Sequence, residues 1–271
     1  MRTRIRLLAI LGSLAATAAV VLAAAPATAA GRGDTYVALG DSHSSGVGAP
    51  PYTDPSTCVR SEKAYAPLYA AARRIKSFDF AACAGAVTAD LEKQLDRVGR
   101  STRLVTLTIG GNDIGFGSGV ATCLSGTEAD CAAAAEASRR FSRTELPGRL
   151  DRAYKTVLAR APQARLVVLS YPRFFENTPD CPQVPLSLTK RAAINAAVDT
   201  LNSVIRERVA RTRATFADVQ DIFTGHALCG SDPWLNDVTQ PGPFHPTEVG
   251  YRAGYLTALE RAVAPRGQCG R

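Results

Sequence analysis

The chain has little histidine, no CxxC pair and only one long apolar run, and each shortage closes off a class of function. Three histidines occur in 271 residues, none in a Cys/His cluster at zinc spacing, so neither a metal site nor any other cofactor is expected. After residue 25 no stretch is long and apolar enough to span a bilayer. Lys and Arg outnumber Asp and Glu by 32 to 24, but no basic block alternates with aromatics. Nucleic acid is therefore not an expected partner. No internal repeat is present, and no linker divides the chain.

The one long apolar run lies at the start. Arg2, Arg4 and Arg6 precede an unbroken run of apolar and small residues from Leu7 to Ala25, followed by Pro26 and Ala27-Thr28-Ala29. Basic start, apolar middle and small-x-small ending read as a secretory signal peptide over residues 1–29, cleaved near Ala29, rather than a retained anchor. The remainder, 30–271, is long enough for one domain with a sizeable core. No acidic residue precedes Asp34, so losing the three arginines lowers the net charge from +8 to +5. That leaves at most a transient attraction to anionic lipid surfaces. An exported chain with Cys58, Cys83, Cys123, Cys131, Cys181, Cys229 and Cys269 reads as disulfide-bonded. Pairing in sequence order gives Cys58–Cys83, Cys123–Cys131 and Cys181–Cys229, with Cys269 left over; spacing alone does not exclude other connectivities.

Strand-like and helix-like runs alternate throughout. Candidate strands are Thr35–Leu39, Ser77–Ala81, Leu104–Ile109, Leu166–Ser170 and Thr215–Val219. Candidate helices lie near Glu62–Arg74, Ala89–Val98, Glu145–Arg160, Thr189–Arg211 and Thr247–Ala262, the last opened by Pro246. In the fourth, Ile194, Val198, Leu201, Ile205 and Val209 recur at helical spacing. Alternation of this kind predicts an α/β class fold: a five-stranded parallel sheet between two helical layers, doubly wound and flavodoxin-like, in a single domain. Gly115–Arg143 and Pro172–Leu188 read as long irregular insertions. In such sheets ligands bind outside the carboxyl ends of the strands.

The residues at those ends carry the chemistry. Gly40-Asp41-Ser42 follows the first strand, Cys83-Ala84-Gly85-Ala86 the second, and Gly110-Gly111-Asn112-Asp113 the third; Phe244-His245-Pro246 precedes the last helix. Each alone is also an ordinary turn or helix start. Together they bring a hydroxyl, a glycine amide, a side-chain amide and an imidazole to one rim, the set that acyl transfer requires.

The segments "GDSHSSGVGA", "CAGA", "IGGND" and "FHPTEVGY" occur in an order that resembles the GDSL-type (SGNH) serine esterases and lipases. The resemblance covers essentially all of residues 30–271. It extends to the signal peptide and six-cysteine pattern of the secreted lipases, esterases and phospholipases of filamentous actinobacteria. It implies Ser42 as nucleophile and His245 as general base. It also implies an oxyanion hole from the N–H groups of Ser42 and Gly85 and the side-chain amide of Asn112.

One departure stands out. Many members carry Asp three residues before the histidine, where this chain has Gly242. The imidazole needs an acceptor at Nδ1–H, and the Pro243 carbonyl is the expected one, with Asp237 or Asp232 as rivals. His43 departs from the aromatic or aliphatic residue usual beside the nucleophile and reads as a packing or substrate-facing side chain; His226 reads as a loop residue. Asp41 is expected to brace its turn, and Ser44 and Ser45 to cap the following helix or touch substrate. Phe116, Phe174, Phe175, Leu186, Leu188 and Trp234 are expected either to line an acyl groove or to be core.

The function expected is a secreted, monomeric serine esterase or lipase that cleaves acylglycerols or other fatty-acyl esters through an acyl-Ser42 intermediate. Phospholipase A or carbohydrate acetyl esterase chemistry on the same site is the alternative. A non-catalytic lipid- or glycan-binding module is the reading from another class.

Overall fold

Five short apolar runs form a parallel sheet in the computed structural model of the protein, which describes residues 35–55 and 57–264. The strands are β1 (Thr35–Gly40), β2 (Ser77–Phe80), β3 (Thr102–Thr108), β4 (Arg165–Leu169) and β5 (Thr215–Ala217), in the spatial order β2-β1-β3-β4-β5. All four pairings are parallel. This is the doubly wound order expected from the alternation. Tyr36, Val37, Ala38 and Leu39 of β1 are all fully buried, as a central strand covered on both faces must be. The order reverses between β1 and β3, and there the connections leave in opposite directions and open a crevice at the strand ends.

Between the strands lie α1 (Ser42–Ser45), α2 (Tyr65–Ala72), α3 (Leu91–Gln94), α4 (Phe116–Ser125), α5 (Glu128–Thr144), α6 (Leu146–Arg160), α7 (Leu188–Ala210), α8 (Gln220–Phe223) and α9 (Leu256–Val263). α2 and α9 pack together on one side of the sheet, whereas α6 and α7 pack together with α5 on the other. The α7 stripe of Ile194, Val198, Leu201, Ile205 and Val209 is buried throughout. Burying one such side chain contributes roughly 1.5–3 kcal/mol.

Two expectations are corrected. Gly115–Arg143 is not irregular but forms the helices α4 and α5. α5 starts on a capping box in which Thr127 and Asp130 satisfy each other's backbone N–H groups. Its buried positions are Cys131, Ala135, Ser138 and Ser142; small residues on that face carry no apolar signal. Pro246 does not open the last helix. It pairs with Leu235 in an antiparallel bridge, and the chain then enters a wide π-helical turn, Gly250–Tyr255, before α9. Pro172–Leu188 does lack regular structure until α7 begins, apart from a bridge between Phe175 and Leu228.

Three cysteine pairs lie at disulfide distance: Cys58–Cys83, Cys123–Cys131 and Cys181–Cys229. Each fastens a connection rather than a strand. Residues 1–29, read as a signal peptide, and Cys269 lie outside the described residues. Among the described residues no helix is long and apolar enough to cross a membrane.

Gln94 closes α3 onto the end of β1. Its Oε1 accepts from the Gly40 N–H at 2.7 Å and its Nε2 donates to the Gly40 carbonyl at 2.9 Å, in a setting where Gln94 is buried. Leucine at 94 keeps the volume but leaves the Gly40 N–H unpaired. Gln94→Leu is expected to destabilise the protein by about 1–3 kcal/mol, seen as a lower urea midpoint with unchanged slope. An unchanged midpoint would show that the pair contributes nothing.

Candidate active site

β1 delivers Ser42 to the rim. Asp41 N-caps the single helical turn Ser42–Ser45, accepting from the His43 N–H at 3.0 Å. With that cap in place, the Ser42 N–H opens the turn and donates to no acceptor among the described residues. Gly46 ends the turn in left-handed geometry and Gly48 follows with φ +99°.

The C-terminal loop lies directly against that turn. The Asn236 amide donates to the Gly48 carbonyl at 2.8 Å and the Pro241 carbonyl at 3.0 Å. The Asn236 backbone exchanges bonds with His245 O (2.9 Å) and Phe244 N (2.8 Å). Tyr251 donates to the Val47 carbonyl at 2.8 Å. As a result His245 Nε2 sits 2.7 Å from Ser42 Oγ, across 203 residues of sequence.

His245 Nδ1 lies 2.9 Å from the Pro243 carbonyl. Neither rival carboxylate is a partner of the ring. Asp237 accepts from the N–H and hydroxyl of Thr239, and Asp232 sits beside His226 and Trp234. The reason Gly stands at 242 is spatial. With φ +67°, a Cβ there would lie 2.8 Å from Gly48 N and 2.9 Å from Val47 Cγ1, so no aspartate fits.

The other two strand ends face the same point. Gly85 has φ +80° and open space where a Cβ would project. The neighbouring N–H groups of Ala84 and Ala86 donate to Cys58 and Cys83 carbonyls, while that of Gly85 has no acceptor among the described residues. One N–H of the Asn112 amide donates to the Ala86 carbonyl at 2.9 Å, which leaves its second N–H available. Asp113, next in sequence, accepts from Thr88 N–H (2.9 Å) and hydroxyl (2.6 Å). These bonds tie the β3 turn to the β2 turn.

Beneath Ser42 runs a buried polar chain. Asp41 accepts from the hydroxyls of Thr108 (2.7 Å) and Tyr171. Thr108 also bonds Ser44 Oγ at 2.7 Å, which in turn bonds the Tyr65 hydroxyl at 2.8 Å. Ser44 is thus an internal brace, not a cap or a substrate contact. Burial pushes the Asp41 carboxyl up to about 6, against the opposing pull of the Tyr171, Thr108 and His43 donors. His43 is buried with Nε2 unpartnered, its ring 4.8 Å from that of His245 and 5.0 Å from that of Tyr171. Desolvation, and secondarily His245, hold the His43 imidazole well below its ordinary range. His226 stands apart, stacked on Trp234.

An apolar cavity of about 240 Å³ opens beside Ser42 and His245, walled by Phe116, Val120 and Leu124 of α4, by Phe174, and by Val198 and Leu201 of α7. Of the side chains expected to form a groove, Phe116 and Phe174 line it. Phe175 and Leu186 are core, Leu188 is exposed, and Trp234 packs on Phe223. Sequence reading missed Tyr171, Gln94 and Asn236; only Tyr171 gave a usable signal, because it lies two residues past the end of β4. Among the described residues no three His, Cys, Asp or Glu side chains gather as a metal site would need. What the rim offers is a hydroxyl bonded to an imidazole, three unengaged N–H donors and an apolar cavity.

Comparison with known proteins identifies the family. A model of the GDSL-like lipase/acylhydrolase family matches residues 38–253. The chain is 43% identical to Lipase 1 of Streptomyces coelicolor over 96% of its length and 99% of that protein. It is 47% identical to a Streptomyces rimosus lipase over 84% of its length and 86% of that protein. Among solved structures, phospholipase A1 from Streptomyces albidoflavus superposes with a TM-score of 0.83 at 46% identity, covering 85% of this chain and all of that one. The extracellular lipase from Streptomyces rimosus does so with 0.82 at 45%, with the same coverage. The chain belongs to the GDSL-like lipase/acylhydrolase family, and with it to the carboxylic ester hydrolases.

Proposed function

We propose that the chain is an exported serine lipase or esterase that cleaves fatty-acyl esters through an acyl-Ser42 intermediate. The observation that carries this reading is the 2.7 Å bond between Ser42 Oγ and His245 Nε2 at the mouth of an apolar cavity. Export is supported by the N-terminal sequence pattern and by the likeness to a lipase described as extracellular.

In this mechanism neutral His245 takes the Ser42 proton as Oγ attacks the ester carbonyl, and the acyl chain occupies the apolar cavity. Negative charge then develops on the carbonyl oxygen. The Ser42 and Gly85 N–H groups and the free N–H of Asn112 are its donors. The imidazolium next protonates the leaving alkoxide. Water, activated by the same imidazole, releases the acid. The Pro243 carbonyl holds Nδ1–H, so that Nε2 is the nitrogen facing Ser42. Being an acceptor only, it favours the one productive tautomer.

A second reading, phospholipase A activity at the same site, is favoured by the likeness to a phospholipase A1 at the same level as to a lipase. One panel separates them: p-nitrophenyl esters from acetyl to long chain, triolein and phosphatidylcholine, with wild type and Ser42→Ala. Wild type is expected to cleave fatty-acyl esters and to be labelled by a fluorophosphonate, and Ser42→Ala to do neither. Inertness of folded wild type towards both would refute the hydrolase mechanism.

Removing one donor should cripple without unfolding. Asn112→Ala is expected to lower kcat about a hundredfold or more, with the circular dichroism spectrum unchanged. A loss under tenfold would remove Asn112 from the oxyanion site. The pH dependence has a definite sign. Desolvation lowers the His245 pKa from its ordinary 6.5, only partly offset by the Pro243 and Gly242 backbone. The neutral base therefore persists into mildly acid solution, and activity is lost as pH falls through that lowered value. The acid limb of kcat/KM should have its midpoint below about 6.5. A limb near 6 that vanishes in Asp41→Asn would belong to Asp41 instead.

A further inference from the structure

Tyr171 belongs to none of the four segments that carry the reaction, yet its hydroxyl joins two of them. It donates to Asp41 Oδ2 and accepts from the Gly111 N–H at 3.2 Å. Asp41 immediately precedes Ser42, and Gly111 immediately precedes Asn112. Tyr171 itself follows β4, which is not a neighbour of β1; β3 lies between them. Its side chain therefore reaches back over the end of β3, across two strand spacings of roughly 5 Å each. The ring passes close over Gly111, where a Cβ would lie 3.4 Å from it, in ordinary contact. Tyr171 is buried, and its ring stands edge-on to His43 and forms part of the cavity wall.

Packing alone would be met by phenylalanine. The hydroxyl adds one donor and one acceptor, each spent on a turn that presents a reacting group. On one side, Asp41 caps the helical turn whose first N–H is that of Ser42. On the other, the bond from the Gly111 N–H fixes the Gly110–Gly111 peptide, one residue before Asn112. We infer that Tyr171 is a positioning residue for ester cleavage, its hydroxyl setting the distance between the Ser42 turn and the Asn112 donor. This rests on the serine-hydrolase reading above.

The link is a shared bond, so its loss is expected in kcat and not in substrate affinity. With a soluble short-chain p-nitrophenyl ester, Tyr171→Phe is expected to lower kcat about tenfold, as small misplacements of reacting groups do, with KM within about twofold. Asp41→Asn removes the acceptor of the same bond at its other end, since with Oδ1 kept for the His43 N–H and the Thr108 hydroxyl an amide N–H faces the Tyr171 hydroxyl in place of Oδ2. The double variant Tyr171→Phe/Asp41→Asn should be no worse than about twofold below the weaker single variant, the non-additivity expected of groups in direct contact. Thermal midpoints are measured alongside, and Asp41→Asn serves if Tyr171→Phe does not fold. A folded Tyr171→Phe enzyme with kcat within twofold of wild type would overturn the inference, as would single losses that multiply in the double variant. A wild-type enzyme inert to esters and fluorophosphonate would instead fail the reading beneath it.

Discussion

The site depends on one close approach of backbone to backbone. The turn after Ser42 and the loop before His245 touch at Gly48 and Gly242. A side chain on Gly48 would meet Pro246 O at 2.5 Å, and one on Gly242 would meet Gly48 N at 2.8 Å. Two segments nearly 200 residues apart can seat this closely only where both lack a Cβ and both accept positive φ. Asn236 and Tyr251 then fasten the contact with hydrogen bonds to the Gly48 and Val47 carbonyls. The separation of Ser42 and His245 is inherited from that seating. It also accounts for the missing aspartate, since the space its side chain would need is occupied by the neighbouring turn.

Much of the fold was legible because its signals are local. Five apolar runs between helical patterns predict the parallel sheet, and the strand-end rule points to Ser42, Gly85 and Asn112 before any coordinates are known. The spacing of Ile194, Val198, Leu201, Ile205 and Val209 likewise marks the buried face of α7. What escaped was buried polar matter and small-residue packing. α5 meets its neighbours through Cys, Ala and Ser, so its helical periodicity is invisible to a hydrophobic reading. Gln94, Asn236 and Ser44 look like surface residues in the sequence. They are internal because each has partners 40 or more residues away: the Gly40 backbone, the Gly48 carbonyl and the Thr108 hydroxyl. No local pattern encodes such a pairing.

Electrostatically the rim is frugal. Asp41 and His43 are buried and His245 is half-buried, and desolvation biases each of them towards its neutral form. Only Asp41 is given strong donors to hold a charge. His43 is left with an unpartnered Nε2, an arrangement that costs stability in an interior. Its ring still backs that of His245 at 4.8 Å. The disulfides complement this interior by fastening the connections around it: the β2 turn, the junction of α5 with the cavity-lining α4, and the Pro172–Leu188 segment.

The acceptor at His245 Nδ1 is a main-chain oxygen, and this changes what a genetic search can find. Every amino acid at 243 would supply a carbonyl, so no single codon encodes it and an alanine scan would pass over position 243 in silence. A side-chain acid could be deleted by one mutation; this acceptor can only be displaced, by disturbing the path of the chain. The vulnerable codons are therefore those of Gly48, Gly242 and Asn236, none of which contributes an atom to the reacting pair.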